Sequence, residues 1–118
     1  INTDTGLFST NNAYTGIVKA WIRYTSTGPT INGSFNVSSV TVNGTGDYTI
    51  NFATALADAN YATIVTSMDS AAGTYIGKVV GTSSVTGPTL YTTTQVRVGQ
   101  GNGSAGNTGY MGVIVCGN

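Results

Sequence analysis

Histidine and glutamate are both missing from this chain, only one cysteine is present, and charged residues make up 7% of it. Each shortage closes a class of function. Without histidine there is no common general base, no Ser-His or Cys-His nucleophile pair, and no supply of the commonest transition-metal ligand. A triad hydrolase or a zinc site is therefore not expected, and neither is any cofactor. The lone cysteine, Cys116, excludes an intrachain disulfide. It follows the apolar run Val113-Ile114-Val115, which favours a buried, inert thiol. The charges are Lys19, Arg23, Lys78 and Arg97 against Asp4, Asp47, Asp58 and Asp69, a formal net charge of zero. Nucleic-acid binding draws on clustered Lys and Arg that displace counterions. Four dispersed cations make no such patch, so neither nucleic acid nor an anionic membrane is an expected partner. No apolar run is long enough to cross a bilayer, and residues 1–12 carry neither the basic head nor the apolar block of a signal peptide. Membrane insertion is not expected. The first residue is not Met, and a fragment or a processed product is the expectation.

What the chain does contain is Thr, Ser, Gly, Asn and Val. Branched side chains lose freedom in a helix, and no segment repeats apolar residues at three-and-four spacing for long enough to make one. The fold class predicted is all-β. Apolar runs of strand length lie at 17–24, 34–42, 47–52, 61–68, 74–80, 89–98 and 110–116, separated by Gly, Pro or Asn. About seven short strands in an antiparallel β-sandwich is the architecture this spacing suggests. At 118 residues the length fits one core, with residues 1–16 as an arm leading in from a preceding segment and 17–118 as the module. Turns are expected at Gly28-Pro29 and Gly87-Pro88.

The clearest local pattern runs from Phe35 and Val37, through Val40 and Val42, across Asn43-Gly44-Thr45-Gly46, into Tyr48, Ile50 and Phe52. Alternation on both sides of a glycine-rich turn is a β-hairpin. The alternation slips by one at Ser38-Ser39, so an extra residue must be absorbed there, and a β-bulge is the usual means. In the first strand, Trp21 shares a face with Ile17, Lys19 and Arg23, while Val18, Ala20, Ile22 and Tyr24 form the other. Both faces carry apolar bulk, which predicts burial on both. Edge strands of soluble monomers are guarded by charges, and this chain has few to place there. Coverage of edges and faces by identical subunits is expected, with Trp21 and Ile17 in the interface.

Three stretches, KAWIRY (19–24), SFNVSSVTVNGTGDYTINF (34–52) and DANYA (58–62), together resemble a module near the C-terminus of the tail fibres and related virion or prophage structural proteins of tailed bacteriophages. They cover well under half of the chain, and none contains a reaction motif. The resemblance implies a non-enzymatic fibre module on the virion, hence extracellular, built as an intertwined or side-by-side homotrimer. Receptor recognition on the bacterial surface, a glycan or an outer-membrane protein, is the further function it implies. Two other readings remain open: a carbohydrate-binding module of a non-viral protein, and a filament or capsid-decoration subunit.

The remaining polar residues offer little chemistry. A glycosidase could use two aspartates, but Asp47 and Asp58 sit in turn-like contexts where a short carboxylate caps backbone N–H groups. No graded loop of oxygen ligands suggests calcium. Gly101, Gly103 and Gly106 spell G-x-G-x-x-G, yet a strand follows where the dinucleotide motif needs a helix N-terminus. That leaves residues 99–109, a long glycine-rich segment between two strand signals, as a binding loop. Gln100, Asn102, Ser104 and Asn107 would offer neutral donors and acceptors, and Tyr91 and Tyr110 aromatic faces, to a glycan or a surface receptor.

Overall fold

The computed structural model describes residues 17–68, 76–79, 91–101 and 109–117. Among them are eight strands and no helix: β1 (Val18–Thr25), β2 (Ile31–Phe35), β3 (Val37–Gly44), β4 (Asp47–Phe52), β5 (Tyr61–Met68), β6 (Ile76–Val79), β7 (Gln95–Gly101) and β8 (Tyr110–Gly117). They form two four-stranded sheets, ordered β2-β1-β8-β5 and β3-β4-β7-β6, with every pairing antiparallel. The expected β-sandwich is present. The arm at 1–16 and the turn at Gly87-Pro88 lie outside the described residues.

The strand expected at 34–42 is two strands in different sheets, and Asn36 is the joint. Its φ of 54° is left-handed, a region that costs most residues roughly 1–2 kcal/mol and that Asn enters more readily because its amide can bond locally. Here the amide imitates a strand's backbone. Asn36 Oδ1 accepts from the Thr54 N–H at 2.7 Å while Nδ2 donates to the Thr54 and Lys19 carbonyls, each at 3.1 Å. The turn sends Phe35 into β2 and Val37 into β3. Two residues read from sequence as neighbours on one face therefore belong to different layers.

Beyond the joint, the expected bulge is found. Val37 pairs with Phe52 and Ser39 with Asn51, so Ser38 is the extra residue. Its absorption lets Val37 and Val40 pack on the same core despite their odd spacing. The hairpin turn is Thr45-Gly46, with Gly46 at φ 66° and a second register shift beside Asn43. The β1–β2 connection carries Gly28 at φ 59°, and Thr25 N–H bonds the Thr30 carbonyl across it.

Tyr24, Tyr48, Ile22, Ile50, Val96, Val98, Met111, Val113 and Val115 fill the space between the sheets. The Tyr24 and Tyr48 rings meet edge to face at 5.3 Å, a favoured geometry for their quadrupoles. The hydroxyls of three core tyrosines find partners on the opposite side or beside them. Tyr48 Oη donates to the Ser26 carbonyl, Tyr61 Oη donates to the Thr92 and Gln95 carbonyls at 2.9 and 3.1 Å, and Tyr24 Oη donates to Met111 Sδ at 3.2 Å. At the far edge β6 lies against β5: a Cβ on Gly77 would stand 2.8 Å from the Val65 carbonyl carbon and oxygen. Only glycine permits that approach.

Two outcomes test this architecture. Replacing Asn36 with Ala loses both the amide bonds and the favoured left-handed residue, about 2–4 kcal/mol together, whereas Asn36→Gly loses the bonds alone. Urea unfolding should rank wild type above Gly above Ala; equal Gly and Ala midpoints would show that φ at this joint is unimportant. Burial also pushes the Tyr24 and Tyr48 hydroxyls up from their ordinary value and Tyr61 up to about 12. Because the unfolded tyrosines ionise near 10, this stabilisation is complete below pH 10 and fades as pH rises through the folded values. An absorbance titration of the native protein should leave Tyr24 and Tyr61 silent at pH 10.5 until alkaline unfolding releases them together.

Candidate functional site

The two outward faces of the sandwich differ sharply, and the difference follows from register. On the second sheet the outward residues of β3, β4 and β7 are mostly polar and bond one another, while Ile76 of β6 faces out and is exposed. Asn51 Nδ2 donates to Ser39 Oγ and Thr41 Oγ1 at 3.0 and 2.9 Å, and Asn43 Nδ2 donates to Thr49 Oγ1 at 2.8 Å. Arg97 holds Asp47 through two bonds, Nε to Oδ1 at 2.8 Å and Nη2 to Oδ2. Asp47 was expected to cap backbone N–H groups; it is an ion-pair member instead, because the β4–β7 register sets Arg97 opposite Thr49, one outward step along the strand. Asp58 does cap, accepting the Asn60 N–H at 2.7 Å.

The outward face of the first sheet is apolar. Pairing aligns Phe35, Trp21, Ile114 and Ile64 in one row across all four strands, and these side chains remain 56%, 41%, 40% and 57% exposed. Beside that row run Val18, Cys116 and Ala62, placed together by a register shift at Lys19. On the other side come Gly33, Arg23, Gly112 and Thr66, then Tyr110 and Met68. The Trp21 ring lies over Gly33, where a Cβ would stand 3.3 Å from it. Trp21, Ile114, Ile64, Met68, Tyr110 and Arg23 are among the residues lining a groove of about 780 Å³. The Arg23 guanidinium carbon sits 4.3 Å from the Tyr110 ring centroid, a cation–π contact. Among the described residues no group of three or more His, Cys, Asp or Glu is placed to hold a metal ion.

No protein-family model, curated protein or solved structure matches the chain. The site is accordingly read from its own residues.

Several expectations are corrected by this geometry. Within the single chain only one side of β1 is buried: Ala20, Ile22 and Tyr24 face the core while Trp21 and Arg23 face out, where the expected covering is by another subunit. Ile17, just before β1, is exposed as well. Cys116 is half-buried on the apolar outward face, not in the core, since Val113 and Val115 take the inward positions of β8. The proposed binding loop at 99–109 begins as strand, for β7 starts at Gln95 and continues to Gly101. Gln100 is therefore no surface contact. It is fully buried, donating from Nε2 to Ser67 Oγ of the other sheet at 2.5 Å. Tyr91 packs against Tyr61, their ring centroids 5.2 Å apart, and so serves the core margin. Tyr110 does reach a surface, but that of the groove. Asn102, Ser104 and Asn107 lie outside the described residues.

Phe35, Ile64, Ile114 and Met68 were missed. Their signal was present in period-two spacing, but β5 and β8 carry apolar residues on both faces, and only pairing tells which face is outward.

The Asp47–Arg97 pair gives a pH test. The guanidinium beside Asp47 holds its carboxyl below the usual value, aided by Asn43 and opposed by partial burial. A depressed carboxylate stabilises the fold above its unfolded pKa, about 3.9, and that contribution disappears as pH falls through the lower folded value. Asp47→Asn should then cost about 0.2–1 kcal/mol at pH 7, the range of an exposed pair, and nothing near pH 2. A deficit in urea midpoint that persists at pH 2 would assign the loss to something other than the ion pair.

Proposed function

We propose that this chain is a non-enzymatic structural module that associates with identical subunits through the outward face of its first sheet, as part of a phage tail fibre or similar virion appendage. The observation that carries the reading is the unbroken apolar row from Phe35 to Ile64. Scattered exposed hydrophobics are ordinary, but a contiguous apolar patch on a folded chain marks a contact surface. The fibre context comes from the sequence resemblance, whose residues include Trp21 and Phe35 of this row.

Size bears on the form of assembly. Three strands of eight residues and one of five present a face of roughly 20 by 25 Å, about 500 Å² per subunit, whereas a stable interface takes about 800 Å² from each partner. One such face is thin support for a face-to-face pair. The trimer is the form that the resemblance implies. A monomeric carbohydrate-binding module is the second reading, favoured by Trp21 and Tyr110 lining one groove. Against it, the groove walls offer few hydrogen-bonding side chains for a sugar.

Light scattering decides between them. An oligomer is expected at low salt and unchanged at high salt, because an apolar interface owes little to screened charges. Trp21→Ala should shift the mass toward monomer while lowering folding stability by less than the roughly 3–5 kcal/mol of a fully buried tryptophan. A wild-type monomer, or salt-driven dissociation, overturns the assembly proposal.

A further inference from the structure

Midway along the apolar face the side chains thin out. Gly112 lies opposite Arg23 in one cross-strand row, so backbone forms part of the floor there, and the groove of about 780 Å³ opens above it. Such dimensions, with apolar walls and few convergent polar groups, are those of a small-molecule site. The principal polar group is the Arg23 guanidinium. It is exposed, stacks on Tyr110, and has no carboxylate partner among the described residues, where Arg97 holds Asp47 and Asp58 caps Asn60.

We propose that this groove binds a single-chain amphiphile with a carboxylate head, the head on Arg23 and the acyl chain across Gly112 against Ile64, Ile114 and Met68. The inference rests on reading this face as a contact surface and names a second occupant for it. Charge complementarity selects the head, since a guanidinium stacked by its face keeps edge donors for the two parallel bonds a planar carboxylate accepts. The apolar walls select the tail. From β1 to β5 the groove crosses two strand spacings, roughly 10 Å, which suits an acyl chain of medium length. Amphiphile and neighbouring subunit cover the same residues, so each displaces the other by mass action.

The probe is sodium decanoate below its micelle concentration, followed through the fluorescence of Trp21, the only tryptophan. Neutral 1-decanol and cationic decyltrimethylammonium serve as controls. A saturable change at one equivalent per chain is expected with decanoate, weakened at least tenfold in Arg23→Gln, while decanol binds both proteins equally. Ile64→Ser should weaken decanoate and decanol alike, and thermal melting checks that both variants fold. Absence of a saturable change, equal decanoate affinity in wild type and Arg23→Gln, or tighter binding of the ammonium overturns the proposal. Light scattering on the same samples separates it from the assembly reading. A monomer that binds decanoate removes assembly and keeps the ligand; an oligomer that neither binds decanoate nor loses mass in it removes the ligand alone.

Discussion

One left-handed residue holds the sandwich in its present form. At Asn36 the chain leaves the first sheet and enters the second within a single residue, and the side-chain amide supplies the bonds that neighbouring backbone would otherwise lack. An extended residue there would have continued β2 into β3 as one strand. The outward position of Phe35 and the inward position of Val37 both follow from the turn. So does the end of the apolar row, because Phe35 is its outermost member.

The two layers then divide their labour by chemistry. Outward Ser, Thr and Asn side chains on the second sheet satisfy one another, and Asp47 and Arg97 neutralise one another, so on β3, β4 and β7 that face has little left to offer a partner. On the first sheet the outward side chains are branched or aromatic and cannot satisfy themselves except by contact. Tyr48, Tyr61 and Gln100 tie one layer to the other through buried hydrogen bonds. In a core without charges these bonds supply direction, since apolar packing alone tolerates many arrangements.

Edge protection is achieved without the charges that composition denied. β3 carries shifts in register at Ser38 and Asn43, and bulges of this kind twist an edge away from edge-to-edge pairing. β2 has five residues and its own irregularity at Asn32, while β5 and β6 lie against each other at Gly77. These features discourage edge-to-edge pairing. The outward face of the first sheet keeps its contiguous apolar row.

From sequence alone came the class, the number of layers, the β3–β4 hairpin and the bulge at Ser38, because these depend on period-two patterning and turn residues only a few positions apart. The same local pattern showed apolar bulk on both sides of β1 but not which side the chain's own core covers. Which side of a strand faces the core is set by partners distant in the chain: Ile64 and Trp21 meet in one row only through Ile114 of β8. Gln100 shows the limit most plainly. In sequence it is a polar residue in a glycine-rich stretch, and only the position of Ser67 on the opposite sheet makes burial affordable by satisfying its amide. Pairing across the fold decided where each side chain ended, since alternation specifies that two faces exist and burial specifies which one is inside.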